Sequence, residues 1–156
     1  MSRQTIIPTE LEAVYANWHF APAVISNGMI YCSGIIGTSA DGQAGDDASA
    51  FDGVRSTLQD SRASLSDLKA VDDPEQQFST AFEVLAAILA EAGAGLGHVV
   101  ELVTYHVEIR RYMDTFVKIK DRYIGEPYPA WTAVGVSELI VPGGLVELRA
   151  VAAKDN

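Results

Sequence analysis

Glu147 and Arg149 fall on one side of an alternating C-terminal stretch, with Val146 and Leu148 on the other. By spacing alone such an acid reads as a solvated charge, paired with Arg149 or a neighbour. His19, His98 and His106 have no metal-ligand spacing, so no metal is expected. Cys32, the single cysteine, cannot close an intramolecular disulfide. It lies on an apolar stretch with no adjacent base, the setting of a small core residue rather than a nucleophile. The segment Trp18-His19-Phe20-Ala21-Pro22 combines two aromatics and a histidine just before a strand. It reads as a hydrophobic clamp on the N-terminal segment, or as a cleft mouth where His19 donates a hydrogen bond or titrates near neutral pH. Arg110, Arg111, Lys118, Lys120 and Arg122 interleave with Glu108, Asp114 and Asp121, which marks a solvated helix face.

These side chains must be positioned by a chain of 156 residues, a length that suggests one domain. At 48% apolar and 21% charged the composition is globular, and wholesale disorder is excluded. Twenty-one acids against eleven bases give a net charge of −10, which repels phosphate backbones and anionic lipid. No nucleic-acid or membrane partner is expected. The N-terminus lacks the apolar stretch of a signal peptide, and no run approaches a membrane span. A cytoplasmic protein is the expectation.

Ala23–Ile25 and Met29–Cys32 flank Ser26-Asn27-Gly28, the strongest short signal for a β-hairpin. Residues 38–50 read as loop. From Phe51, apolar residues at 51, 54, 58, 65 and 68 predict a helix, with Ser49 as a candidate N-cap. A stronger helix is predicted over Pro74–Ala92, capped by Asp73 and ended by Gly93, with Phe78, Phe82, Leu85, Leu89 and Ala92 as its core stripe. Alternation over Val99–Ile109 predicts a strand, with His106 on its more polar face. A further helix follows over Met113–Ile124. Two C-terminal strands, Trp131–Leu139 and Leu145–Ala153, are joined by the turn Ile140-Val141-Pro142-Gly143-Gly144. This order points to an α+β sheet with helices on one face. A sheet so covered hides its other, apolar face by oligomerising.

Three stretches, 27–37 (NGMIYCSGIIG), 129–139 (PAWTAVGVSEL) and 142–152 (PGGLVELRAVA), carry a resemblance to the Rid family of reactive-intermediate deaminases, also called YjgF or L-PSP proteins. It extends from about residue 18 to 153, apart from a stretch near 48–72 that looks like an insertion in a single domain spanning 1–156. The resemblance implies a chorismate-mutase-like fold assembled as a homotrimer, its sheets packed inside a central barrel. Ligands in that family sit in clefts between subunits. Its better-known members hydrolyse enamines and imines to a keto acid and ammonia, with no metal or organic cofactor.

Residue by residue, Glu147 falls at the family's water-positioning glutamate, the candidate acid/base. Ser33 and Gly34 fall on its S-G turn, and Thr132 and the backbone of Ala133 follow its substrate-binding motif. The arginine of that motif is Trp131 here, and the cleft-closing tyrosine aligns with Phe20. An indole cannot form the bidentate clamp that an arginine makes on a carboxylate. A core or interface aromatic is one reading of Trp131; a flat π surface for a neutral, aromatic or cationic ligand is the other. The expected function is cofactor-free hydrolysis of an enamine, imine or related small metabolite other than a simple 2-imino acid. The alternative is a non-catalytic small-molecule binding trimer of the same fold.

Overall fold

The computed structural model describes residues 2–45 and 49–155; residues 46–48, in the expected loop and at the start of the expected insertion, lie outside them. The chain opens on a strand that its sequence does not announce, β1 (Arg3–Ile6), which pairs antiparallel with β2 (Ala23–Ser26). The hairpin of β2 with β3 (Met29–Cys32) turns on Asn27 and Gly28, both at positive φ, as a tight hairpin turn requires. A two-stranded ribbon, β4 (Thr38–Ser39) with β5 (Lys69–Ala70), brackets the segment 40–68.

Within that segment the expected long helix shrinks to α1 (Asp52–Thr57) and a single 3-10 turn at Leu65–Asp67. Local polar side chains cut it short. The Asp60 carboxylate accepts from the Arg62 amide, and Ser64 and Asp67 bond reciprocally around the 3-10 turn, offering the backbone partners other than a continuing helix. Ser49 is not a helix cap: Phe51 holds that place, and the Ser49 hydroxyl meets Glu10.

The helix α2 (Pro74–Glu91) begins where expected, the Asp73 carboxylate accepting from the Gln76 amide, and its predicted stripe is fully buried. Strand β6 (Val99–Val107) leads through Glu108, at positive φ, into α3 (Ile109–Tyr123), which starts four residues before its predicted beginning. Then come β7 (Ala130–Val136) and β8 (Val146–Ala153). The last two strands do not pair with each other. Their sheet runs β1-β2-β3-β8-β6-β7, antiparallel except for β6 beside β7, which α3 joins as a crossover. The α+β fold is as expected, with α2 and α3 against one face.

The more polar face of β6, with His106 on it, is the buried one. Leu102, Thr104 and His106 point under the helices and are buried, while Val103, Tyr105 and Val107 lie on the open face. A polar stripe can be buried because it is bonded: the Trp131 indole N–H donates to Thr104 Oγ1 at 2.9 Å, and Thr104 Oγ1 lies 2.6 Å from His106 Nε2. An indole nitrogen only donates, so the threonine oxygen accepts from Trp131 and its own proton remains available to His106 Nε2. The ring packs edge-on to Phe116 at 4.8 Å between centroids. Burial pushes His106 down to about 4 from its ordinary 6.5. The unfolded chain therefore takes up a proton between those values that the native state refuses, and stability falls as pH drops from 6.5 to 4. His106→Gln should flatten this limb: the wild type loses roughly 10 °C of Tm across the window beyond any loss in the variant.

Candidate active site

After β3 the chain leaves the ladder, and two bonds fix the Ser33-Gly34 turn: the Ser33 amide donates to Pro22 O (2.9 Å) and its hydroxyl to Ala21 O (2.6 Å). Ile35 then exchanges both backbone bonds with Leu148 of β8, at 2.9 and 2.8 Å. This clip lays Gly34 against Glu147. A Cβ built on Gly34 would stand 1.9 Å from Glu147 Oε1, so the carboxyl occupies the space that any larger residue at 34 would need. The nearest atom is the tip of a flexible side chain, so Gly34→Ala should displace the carboxyl rather than the backbone. Unchanged Tm with at least a tenfold loss of any Glu147-dependent rate is the expected outcome in paired melting and turnover assays.

Glu147 is half-buried, and burial raises its pKa above the ordinary carboxylate value. The cation expected to neutralise it is engaged elsewhere, since Arg149 faces Glu101 on β6 at 3.6 Å. Beside the turn opens a cavity of about 310 Å³, within the range of small-molecule sites. Glu147, Ser33, Gly34 and Phe20 all line it.

The other candidate residues lie apart from this cavity. His19 is exposed at a positive φ of 60°, away from the cavity wall. Trp131 pairs with Leu102 and so lies on the helix side of the sheet, whereas Glu147 pairs with Tyr105 on the open side. One protomer therefore does not bring Trp131 and Glu147 together. The Trp131 indole spends its N–H on Thr104, packs near Phe116, and carries Lys120 Nζ 4.7 Å above its ring. Thr132 and Ala133 continue along the same strand, which is exposed from Ala130 to Gly135. Cys32 is buried, and burial pushes its thiol up to about 11, far from a nucleophile's range. Among the described residues no three His, Cys, Asp or Glu side chains cluster as a metal site.

The wall of the cavity was not legible in the sequence. Trp18 belongs to it, its indole N–H donating to Ala63 O at 2.9 Å, which makes the 18–22 segment a clamp on the 58–68 region. Val54, Leu65 and Leu68 complete that side. Their signal in the sequence was helical spacing, which suggested a helix stripe instead of a wall.

The fold and this pocket together define a class: small α+β protomers with two helices on one face of a six-stranded sheet and a lone desolvated carboxyl beside a strand-leaving turn. The chain belongs to the family described as Endoribonuclease L-PSP, the Rid/YjgF group, whose pattern matches residues 66–154. It is 24% identical over 140 residues to the RutC family protein YjgH of Escherichia coli, covering 89% of this chain and 87% of that one. The solved structure of protein YjgH superposes with a TM-score of 0.72 across 100% of this chain and 99% of the other, at 24% identity. A Rid-family protein of unknown function from Yersinia pestis, YyfA, gives 0.70 over 97% and 99%, also at 24% identity. At these identities the structures establish the fold.

Proposed function

We propose that this protein is a cofactor-free deaminase that hydrolyses the C=N bond of an imine, or of an enamine after tautomerisation, with Glu147 as acid/base. The observation that carries this reading is the lone half-buried carboxyl, pushed toward its protonated form and seated against Gly34 at the wall of a small-molecule-sized cavity. Protonated Glu147 gives its proton to the imine nitrogen while water adds its oxygen to the carbon and returns a proton to the carboxylate. The carbinolamine takes that proton on nitrogen, loses its hydroxyl proton and expels ammonia, leaving a carbonyl. Water and imine thus become ammonia and ketone or aldehyde with no redox step.

A free carboxylate on the substrate is disfavoured, because among the described residues Glu147 is the only ionisable side chain lining the cavity and no cation accompanies it. Trp131, Thr132 and Ala133 enter this reading as a ligand-facing wall contributed by a neighbouring protomer of a homotrimer. The exposed β7 and the half-exposed Tyr31 on the open sheet face favour such an assembly. Nuclease chemistry, which the family description names, finds no support in the charges. Arg111, Lys118, Lys120 and Arg122 each face an acid within 4 Å, and the net charge is −10. A non-catalytic binder is the second reading, favoured by the almost wholly apolar cavity wall.

The test is ammonia release from imines and enamines generated in situ by an amino-acid dehydratase or oxidase, with sedimentation recording the assembly. Release lost in Glu147→Gln supports the deaminase. Saturable ligand binding without release from any imine leaves the binder.

A further inference from the structure

The cavity beside Glu147 extends well past the reacting carboxyl. It lies between the main core, from which Val84 and Ile88 of α2 face it, and a satellite cluster of Leu68, Ala70 and Val141. On the satellite side Val54, Leu65 and Leu68 close it, all from the segment 51–68, and Trp18 is tied to that segment by its bond to Ala63. Of the polar groups on the wall, the Trp18 N–H is taken by Ala63 and the Ser33 hydroxyl by Ala21. The cavity thus has one polar corner, at Ser33, Gly34 and Glu147, and a remainder that is apolar apart from Thr38. Its 310 Å³ holds about ten non-hydrogen atoms at ~30 Å³ each.

We propose that this remainder is the binding site for an aliphatic or single-ring substituent of the substrate, about six to eight carbons in size, and that Val54, Leu65 and Leu68 set the permitted length. The proposal rests on the deaminase reading only for the head group: the substrate is then an uncharged imine carrying a sizeable apolar group, its C=N carbon toward Glu147. Small polar imines would leave the apolar wall wet and gain nothing from it.

The test uses straight-chain primary amides from propanamide to decanamide, whose neutral head can bond a carboxyl, titrated calorimetrically into the full-length protein. Affinity should rise about three- to fourfold per methylene up to roughly eight carbons and then level off, as burial of successive methylenes requires. Val54→Phe should bring the plateau forward by two or three carbons, and Leu65→Ala should move it later, so that the two shifts are opposite and either variant alone suffices. Chain-length dependence without ammonia release from any imine upholds the apolar site while sinking the deaminase reading alone. Affinity flat with chain length, or plateaus unmoved in both variants, overturns the proposal even where ammonia release persists.

Discussion

Glu147→Gln should remove at least a hundredfold from kcat/KM for imine hydrolysis while leaving the protein more stable at neutral pH. The loss follows from the usual contribution of a positioned acid/base, about 10²–10⁴ in rate. Gln can accept and donate hydrogen bonds at the same place, yet it cannot pass a proton to the leaving nitrogen. The gain in stability follows from burial. Desolvation raises the folded-state pKa of Glu147 above its ordinary 4.5, so over that interval the native chain keeps a proton that the unfolded chain has lost. Stability from this group is fully present below 4.5 and is lost as pH rises through the raised value. Above that raised value the wild type carries an ionised, poorly solvated carboxylate with no cation beside it, and the amide relieves that cost. Melting curves should therefore show the variant with the higher Tm at pH 7 and the difference closing below pH 4.5. Glu138→Gln, an exposed acid on the same chain, controls for the simple removal of one negative charge from a protein at −10. A variant that is both active and no more stable than that control would show Glu147 to be an ordinary surface acid. Function held at a cost in stability is the general mark of a reactive site.

The largest loss of stability is expected from Gly37→Ala. A Cβ at 37 would stand 2.0 Å from the carbonyl oxygen of Gln77 and 2.9 Å from its carbonyl carbon, both backbone atoms of α2. Neither partner can retreat. Gly37 O accepts from the Val71 amide at 3.0 Å, which holds the strand side. Gln77 is buried, and its side chain holds the helix side: it donates to Val71 O and Gly143 O and accepts from the Leu145 amide at 2.7 Å. An added methyl must prise α2 from the 69–73 segment and break some of these bonds, each of which leaves a buried group unpaired. A cost of about 3 kcal/mol is expected, which for a chain of this size lowers Tm by roughly 10 °C. Gly97→Ala, with no atom within 4 Å of the new carbon, should leave Tm nearly unchanged. Differential scanning of both variants decides the matter, and equal melting temperatures would contradict the packing described.

Much of this protein was written locally. The Asn27-Gly28 hairpin, the Asp73 cap with Pro74 behind it, and the buried stripe of α2 are set by residues within a few positions of one another, so period and turn chemistry suffice to read them. The family resemblance implied one site for Glu147, Ser33, Gly34, Phe20, His19, Trp131, Thr132 and Ala133; the first four line one cavity and the last four lie apart from it. The remaining features depend on distant partners. The buried face of β6 is the polar one because Trp131, 27 residues from Thr104 along the chain, arrives beside it and supplies a donor. The helix expected over 51–68 gave way to short side-chain-to-backbone bonds, leaving Val54 and Leu65 to wall a cavity. The neighbours of β8 could not be guessed, since it pairs with β3 on one edge and β6 on the other, both distant along the chain, and not with β7, the strand just before it. Short-range pattern determined the hairpin of β2 and β3, the start and buried stripe of α2, and the existence of the later strands and helix. The tertiary structure alone decided which faces are dry, because burial is a property of what comes to lie opposite, and no residue carries that information by itself.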